Sequence, residues 1–337
     1  MWQATLKSIL SILDKDIFNR FKLHSASHSI LKVLAYFDIF GYPLTRNEIT
    51  ALLDMSYTPG EIEKSFQFLI DEEIIFTLGE FYSLTNDLSL AHRRKRGNER
   101  AVKQIRIAKK LAAFLSRFPY VRGVAVSGSL SKNYADERSD IDFFIITKVN
   151  RLWIARTFMH LFKKMTYLAG KQHWFCMNYY IDEVALEIQE KNIYTATEII
   201  TVLKLYGQTA FANFTKVNEW AFDFYPVYFS GPDDPKKIRK GFIKTILEFL
   251  LDNKVGDRLD TFFMKTTVKR WRRKTESFKK NKKGILLGMD AGKHFSRAHP
   301  GNFQQQVLNR YNNNLSRVSQ RLEVVSSATT IRSYAAK

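Results

Sequence analysis

The chain has 337 residues, of which 45% are hydrophobic and 14% aromatic, so it has the apolar content for a buried core and is not a largely disordered protein. An average domain has roughly 150 residues, so the length predicts two or three domains. The net charge is +20, and the single cysteine, Cys176, excludes an intramolecular disulfide and a cysteine-based metal cluster.

Residues 1–27 are predicted to form an N-terminal helix, because apolar residues recur at helical spacing between Leu6 and Ile17. Charged residues interrupt this stretch, so it lacks the continuous apolar run of a signal peptide. The longest mainly apolar stretches of the chain, such as Thr245–Leu251, are far shorter than the ~20 residues that span a bilayer. The sequence therefore predicts a cytoplasmic protein without a membrane span.

Residues 28–90 are predicted to form a winged-helix-like domain, in which three helices precede a β-hairpin. A breaker at Gly41 ends the first helix, a capping box over Thr45–Glu48 opens the second, and Pro59 stands in the first turn of the third. The third helix is mainly acidic, and DNA phosphates would repel it. This charge favours a protein-contact or scaffolding role over DNA binding.

Residues 91–119 predict a connecting helix with one apolar face and one basic face. The basic face could contact nucleic-acid phosphates. Packing through the apolar face, with the basic face in solvent, accounts for the same pattern, and we expect this second arrangement.

Residues 120–210 contain the motifs that indicate chemistry. A β-type run leads into Gly128-Ser129, and after ten intervening residues a second β-type run contains Asp140 and Asp142. Side chains two apart on a strand point to the same face, so these two carboxylates repel each other unless a cation offsets their charge. Mg²⁺ is commonly held by one or two carboxylates together with substrate phosphates.

The Gly128-Ser129 pair supplies groups that can bind such a phosphate. Glycine lets the backbone approach a phosphate closely, and the amides of the following turn can donate hydrogen bonds to its oxygens, as can the Ser129 hydroxyl. The two motifs together predict one compact site for phosphate and metal.

The order Gly-Ser, ten residues and Asp-Ile-Asp-Phe resembles the signature of the polymerase β-like nucleotidyltransferase superfamily, over about residues 100–200. The resemblance implies that Asp140 and Asp142 hold Mg²⁺ or Mn²⁺. It implies that Gly128 and Ser129 contact the triphosphate of a nucleoside triphosphate (NTP). The implied reaction is in-line attack of an acceptor hydroxyl or phosphate on the α-phosphorus, with release of pyrophosphate. An Asp pair capping a solvent-facing strand is the alternative, which the flanking Phe-Phe-Ile-Ile disfavours.

A third carboxylate on a later strand is common in this superfamily, and Asp182 is the residue that the resemblance suggests for catalysis and metal binding. The run Trp174–Asp182 is expected to form that strand, with Asp182 as the only carboxylate on the face that it shares with Asn178. Acids of turns are common at strand ends, so the role of Asp182 and that of the second candidate, Asn178, stay open. Thr197 and Glu198 on a later predicted helix could face the site, but a packed helix explains their pattern as well.

Residues 211–325 are predicted to be mostly helical and basic, and residues 326–337 to form a tail. From Gly231 onward, 24 Lys and Arg stand against 9 Asp and Glu, so this part has a net charge of +15 and the first 230 residues only +5. Within Lys265–Lys283, ten basic residues accompany a single acid, with aromatic residues between them. This pattern predicts RNA or another polyanion as a partner, with an anionic surface as the second candidate, although a solvated basic helix gives the same pattern.

These elements together predict a mixed α+β fold, with an N-terminal winged helix, a mixed-sheet nucleotidyltransferase core and a helical, basic C-terminal region. The function hypothesis is a metal-dependent nucleotidyltransferase that moves a nucleoside monophosphate from an NTP to RNA, a protein or a small molecule. The alternative is a winged-helix binding or regulatory protein with a non-catalytic nucleotidyltransferase-like domain, and a third possibility is a structural adaptor that uses the basic region. The Gly-Ser and Asp-x-Asp motifs favour the enzyme, because a non-catalytic domain has no physical need for them.

Overall fold

The computed structural model describes residues 24–137, 139–167, 176–228, 235–238, 241–277, 288–298 and 303–335. The chain divides into two compact units. The first contains Met1–Arg94, Asp223–Phe229 and Val307–Lys337, and the second contains Lys95–Phe222 and Ser230–Gln306. Most of the predicted N-terminal helix, residues 1–23, lies outside the described residues.

The first unit has the predicted order of three helices followed by a hairpin. Its strands form one antiparallel sheet in the order β1-β3-β2. The elements are helix α1 (24–38), strand β1 (Leu44–Thr45), helices α2 (Arg46–Ala51) and α3 (Pro59–Asp71), and strands β2 (Phe76–Leu78) and β3 (Phe81–Ser83). The assignment of this unit to the winged-helix class stays a prediction.

Local capping fixes where the second and third helices begin. The Thr45 side chain accepts a hydrogen bond from the Glu48 amide, and the Thr45 amide donates to the Glu48 carboxylate over 2.9 Å, which completes the predicted capping box. Thr58 and Glu61 form the same reciprocal pair at the start of α3. These caps satisfy amides that a helix N-terminus otherwise leaves without partners.

The last helix of the chain, α11 (Phe303–Ala335), returns to the first unit. The Tyr311 ring packs edge-on against Tyr36 of α1, and the Asn314 amide donates to the Ala35 carbonyl over 3.3 Å. The helix continues to Ala335 and so includes most of residues 326–337, which were expected to form a tail. Regular backbone hydrogen bonding extends through this segment even though its sequence is rich in small polar residues.

The second unit is built on a six-stranded mixed sheet in the order β7-β4-β5-β6-β9-β8. The central pair β5 and β6 is parallel, and the other neighbouring pairs are antiparallel. The strands are β4 (Val121–Val126), β5 (Asp142–Thr147), β6 (Cys176–Asp182), β7 (Leu203–Tyr206), β8 (Met289–Ala291) and β9 (Phe295–Ala298). The predicted mixed-sheet core is therefore present.

Helices connect and cover this sheet. A crossover through α6 joins β5 to β6, which is the connection that two neighbouring parallel strands require. Fully buried side chains of β4, β5 and α6, including Val124, Phe143 and Trp153, form the core. The helices are α4 (Leu88–Leu115), α5 (Gly128–Ser131), α6 (Leu152–Tyr167), α7 (Ile193–Thr201), α8 (Gln208–Val217), α9 (Phe242–Leu251) and α10 (Lys254–Glu276), with a 3-10 helix over Glu219–Asp223.

Strands β8 and β9 lie within residues 211–325, the region predicted to be mostly helical. They pair with each other, and β9 extends the sheet beside β6, so that β6 is not an exposed edge. The segment has few of the β-branched residues that mark a strand, so its sequence carries a weak strand signal. Among the described helices, none is long and apolar enough to cross a membrane.

Candidate active site

Strand β4 leads through Ser127 into the short helix α5, and we call Ser127, Gly128 and Ser129 the Gly128 turn. Gly128 has a φ of +72°, and a Cβ at this position would lie 2.9 Å from the Asp142 Oδ2 atom. The neighbouring Ser127 amide donates to the Asp142 carbonyl over 2.9 Å. Glycine is therefore required at position 128 for two reasons. The backbone is in the left-handed conformation, and the Asp142 carboxylate lies too close for a side chain.

The two carboxylates of the Asp-x-Asp motif lie at the start of β5. Asp142 is the first residue of the strand, whereas Asp140 lies two residues earlier, before the strand begins. This corrects the expectation that both lie on the strand. Ile141 and Phe143 are buried and alternate with the half-buried Asp140 and Asp142, so the expected alternation of apolar and acidic side chains is present.

Ser129 follows in the first turn of α5. Its side chain is exposed, while its carbonyl accepts hydrogen bonds from the amides of Lys132 and Tyr134 at 3.1 Å each. These backbone bonds hold the turn in shape, and the hydroxyl is left at the surface of the site.

Glu198 on helix α7 also reaches the turn. Its Oε2 accepts a hydrogen bond from the Gly128 amide over 3.3 Å, and its Oε1 accepts from Lys132 Nζ over 2.7 Å. Lys132 Nζ also donates to the Gly128 carbonyl over 3.2 Å. The Gly128 turn is thus held between one acid and one base. Sequence reasoning weighed Glu198 but favoured a packing role, and it missed Lys132, whose position four residues after Gly128 was the available signal.

Tyr194 lies one helical turn before Glu198 on the same helix. Burial, followed by the negative charges of Glu198 and Asp142, raises the pKa of the Tyr194 hydroxyl above its usual range. The hydroxyl is therefore neutral and can donate a hydrogen bond near the two acids. Its ring packs edge-on against Phe303, with the centroids 6.1 Å apart. Sequence reasoning missed Tyr194, whose spacing from Glu198 marks one face of α7.

Asp182 does not join this site. In the parallel pair, Asp142 lies opposite Cys176 and Asp182 lies opposite Thr147, so the two acids are at opposite ends of neighbouring strands. Asp182 is fully buried, accepts from the Asn150 and Val184 amides, and pairs with His294 Nδ1 at 2.8 Å. The register contradicts the expectation that Asp182 is a catalytic metal ligand beside Asp140 and Asp142, because its oxygens bind residues beyond the opposite end of these strands.

The second candidate on that strand, Asn178, lies nearer to the motif. A register shift between Phe143 and Phe144 leaves Asn178 between the paired positions Met177 and Tyr179, close to the start of β5. Within the described residues, no three His, Cys, Asp or Glu side chains gather in an arrangement suited to a metal ion. Asp140 and Asp142 stay the predicted metal ligands on the strength of the motif.

The predicted polyanion-binding segment lies on a different element. Lys265–Glu276 form the last turns of α10, and most of their basic side chains are exposed. Lys274 Nζ lies 4.9 Å from the centroid of the Trp271 ring, so this aromatic contacts a cation of its own helix. Residues 278–287, which include Phe278 and the last basic residues of the segment, lie outside the described residues.

Comparisons with known proteins agree with the motif. A family model described as a nucleotidyltransferase domain matches residues 107–202, which include the Gly128 turn, the Asp-x-Asp motif and helix α7. No curated protein and no solved structure matches the chain. Segment 107–202 therefore matches a nucleotidyltransferase domain, and the order of its motifs, at the starts of α5 and β5, supports the resemblance to the polymerase β-like superfamily.

Proposed function

We propose that this protein is a metal-dependent nucleotidyltransferase, which moves a nucleoside monophosphate from an NTP to an acceptor hydroxyl or phosphate and releases pyrophosphate. The observation that carries the proposal is the position of the Asp142 carboxylate, whose Oδ2 lies 2.9 Å from the point where a Cβ of residue 128 would stand. A cation held by this carboxylate would lie within reach of a phosphate bound at the Gly128 turn. This contact brings the Gly-Ser pair and the Asp-x-Asp pair together. Phosphoryl transfer requires the metal and the reacting phosphate to be held next to each other.

The donors around the turn fit Mg²⁺ or Mn²⁺. Asp140 and Asp142 offer hard carboxylate oxygens, and both side chains are half-buried, so that solvent and ions have access to them. Burial is the first cause of the raised pKa of Tyr194, and the negative charges of Glu198 and Asp142 add to it, in keeping with a group of acids that a cation would neutralise. Asp140 and Asp142 would hold the ion, which would neutralise phosphate charge and act as a Lewis acid.

The protein groups around the turn would bind and orient the triphosphate. The Gly128 amide and the exposed Ser129 hydroxyl can donate to phosphate oxygens, and Lys132 supplies a positive charge beside the Gly128 carbonyl. In the structure the Gly128 amide donates to Glu198, so a bound phosphate oxygen competes with Glu198 for this donor. Tyr194 holds its proton and can donate a hydrogen bond near the same oxygens.

RNA is the acceptor for which the chain has a specific feature, namely the exposed basic side chains between Lys265 and Glu276. Such side chains neutralise phosphates along a strand. A protein or a small hydroxyl compound is the acceptor if no nucleic acid binds there.

Label transfer and NTP binding test the proposal separately. The purified chain is incubated with Mg²⁺, each α-labelled NTP in turn, and total cellular RNA or protein, and both labelled acceptor and pyrophosphate are expected. Calorimetric titration of each NTP is repeated with EDTA, which is expected to weaken binding about tenfold or more, because two carboxylates face a tetra-anionic ligand.

Each measurement has an outcome that contradicts a part of the proposal. Equal NTP affinity with and without EDTA would place the triphosphate away from Asp140 and Asp142. Metal-dependent NTP binding without transfer to RNA, protein or small hydroxyl compounds would favour the alternative, a binding or regulatory protein with a non-catalytic domain.

A further inference from the structure

Helix α9 turns its apolar face outward. Phe242 and Phe249 are each 82% exposed, and three further large apolar residues of this ten-residue helix are also exposed. The five recur at positions i, i+1, i+4, i+7 and i+8, which is the spacing of a single helical face. We call them the α9 stripe, which consists of Phe242, Ile243, Ile246, Phe249 and Leu250.

The opposite, polar face of α9 is buried in the second unit. Lys244 is 4% exposed, and its Nζ donates to the carbonyls of Ser116 at 3.1 Å and Val121 at 2.8 Å. One turn later, Glu248 accepts from the Tyr120 amide at 2.7 Å and forms a two-pronged ion pair with Arg122. The helix is therefore attached to the second unit through these charged residues and through Leu251, which packs against a buried cluster that contains Tyr120.

This attachment fixes the direction of the α9 stripe. Rotation of the helix to bury the stripe would break the bonds of Lys244 and Glu248 and leave buried polar groups without partners, which is costly. The outward stripe is thus a stable feature of the fold. Contiguous exposed apolar surface of this kind marks a protein or membrane interaction site.

Helix α10 follows after a two-residue connection, packs against α9, and has an exposed row of mixed apolar and basic character. Val255 and Phe262 are exposed on this row, and the other members, at spacings of three and four residues, are all basic. The row consists of Val255, Arg258, Phe262, Lys265, Lys269 and Arg272. Neither this row nor the α9 stripe contains an acid.

We propose that the α9 stripe and the basic row of α10 bind the surface of an anionic lipid bilayer. A ten-residue helix is too short to span the hydrocarbon core, so α9 would lie in the interface with its stripe among the acyl chains. The cations of α10 would contact the anionic headgroups. The chain carries a net charge of +20, which adds a general attraction to such a surface.

The observations favour lipid over the other possible occupants. RNA phosphates account for the basic row but not for an outward aliphatic and aromatic stripe on α9. A second copy of the chain could cover the stripe, but it would bring the same basic row, and the same net charge of +20, against an identical surface.

Vesicle co-sedimentation with the full chain tests the proposal. The vesicles are phosphatidylcholine alone and phosphatidylcholine mixed with phosphatidylglycerol. We expect binding to the anionic vesicles that weakens as salt is raised. The double variant Phe242→Ser/Phe249→Ser should lower the partition coefficient roughly tenfold or more. Lys265→Gln and Lys269→Gln should each lower it about fivefold on anionic vesicles only.

The matched control replaces two apolar side chains that are exposed elsewhere. Leu88 and Val184 are 58% and 64% exposed, and Leu88→Ser/Val184→Ser should bind vesicles as the wild type does. Unchanged circular dichroism and thermal midpoint in both double variants would show that loss of binding is not loss of folding. No binding to anionic vesicles at low salt, or full binding by the α9 variant, would overturn the proposal. So would a concentration-dependent dimer in light scattering that the α9 variant abolishes, because the occupant would then be a second copy.

Discussion

Replacing Asp140 or Asp142 should lower the transfer activity without lowering the stability of the fold. Asp140→Asn or Asp142→Asn is expected to lower transfer about 100-fold or more, because a carboxylate that holds the cation is lost. The free energy of unfolding without metal should stay the same or rise slightly, since one of two repelling charges is removed. Transfer assays together with thermal unfolding in EDTA measure both effects.

A control for this pair is available in the loop that precedes it. Glu137 is exposed and pairs with Arg100 of helix α4 at 2.8 Å, so Glu137→Gln should keep wild-type transfer. Wild-type transfer by both Asp variants would remove these residues from the site.

Gly128 allows a second test at the residue scale. Gly128→Ala combines a positive φ with a contact of 2.9 Å between the new Cβ and Asp142 Oδ2. We expect a loss of roughly 1–2 kcal/mol in unfolding free energy, together with weaker metal-dependent NTP binding. Denaturant unfolding and calorimetry measure the two quantities.

Gly60 in helix α3 is the matched position without these constraints. Its φ is not positive and no atom lies within 4 Å of an added Cβ, so Gly60→Ala should stabilise the chain by about 0.5–1 kcal/mol. If Gly128→Ala behaved as Gly60→Ala does, the close approach of Asp142 to the turn would be refuted.

Helix α9 contains a buried base whose titration can be followed. Burial is the largest cause that lowers the pKa of Lys244, to about 8, with a further lowering by Arg122 and an opposing effect of Glu248. In the unfolded chain Lys244 keeps its ordinary, higher pKa and therefore binds a proton over a pH range in which the folded chain does not. The unfolding free energy should consequently rise with pH from about 8 to about 10, relative to a Lys244→Met variant.

Denaturant unfolding of wild type and Lys244→Met across this pH range makes the comparison. Loss of the bonds to Ser116 and Val121 lowers the stability of the variant at every pH, so only the difference in slope reports the titration. Parallel stability curves would indicate that Lys244 is solvated in the folded chain.

Several elements could be predicted from the sequence because their signals are local. Thr45 and Glu48, which are three residues apart, form the capping box that marks the start of α2. The apolar run before Gly128 predicts β4, and the apolar run that follows Asp142 predicts β5. The Gly128 turn and the two acids follow from the same short segment. Such features depend on neighbours along the chain, which the sequence displays directly.

Other features depend on partners far away in the sequence. Asp182 lies at the end of β6 that is far from Asp142, because β6 runs parallel to β5. The residue pattern of Trp174–Asp182 does not show the direction in which this strand pairs. The outward face of α9 could not be predicted either, since an amphipathic helix has the same periodicity whichever face is buried. It is decided by the carbonyls of Ser116 and Val121, to which Lys244 donates.

At the scale of the whole molecule, the distribution of charge predicts a response to salt. If Lys265–Lys283 binds single-stranded RNA, about half of its ten basic residues should contact phosphates at the same time. The slope of log affinity against log salt should then be about −3 to −4. Replacing Arg270, Arg272, Arg273 and Lys274 with Ser should flatten this slope and weaken binding to all sequences alike. Filter binding of RNA oligomers over a salt series measures it.

NTP binding at the Gly128 turn serves as the internal control, because that turn and the basic segment lie on different elements. It should be unaffected by the four Ser replacements. No RNA binding by wild type at low salt would make a protein or a small molecule the better acceptor.

The return of α11 to the first unit has a consequence for biosynthesis. His28 of α1 and Ser319 of α11, which share a hydrogen bond, are 291 positions apart in the chain. A ribosome therefore releases α1 long before the helix that packs against it, whereas the second unit is complete by residue 306. The second unit can fold during translation, whereas the apolar face of α1 stays uncovered until the last part of the chain has been synthesised. Nascent chains that stall before Val307 would expose that face and become substrates for chaperones.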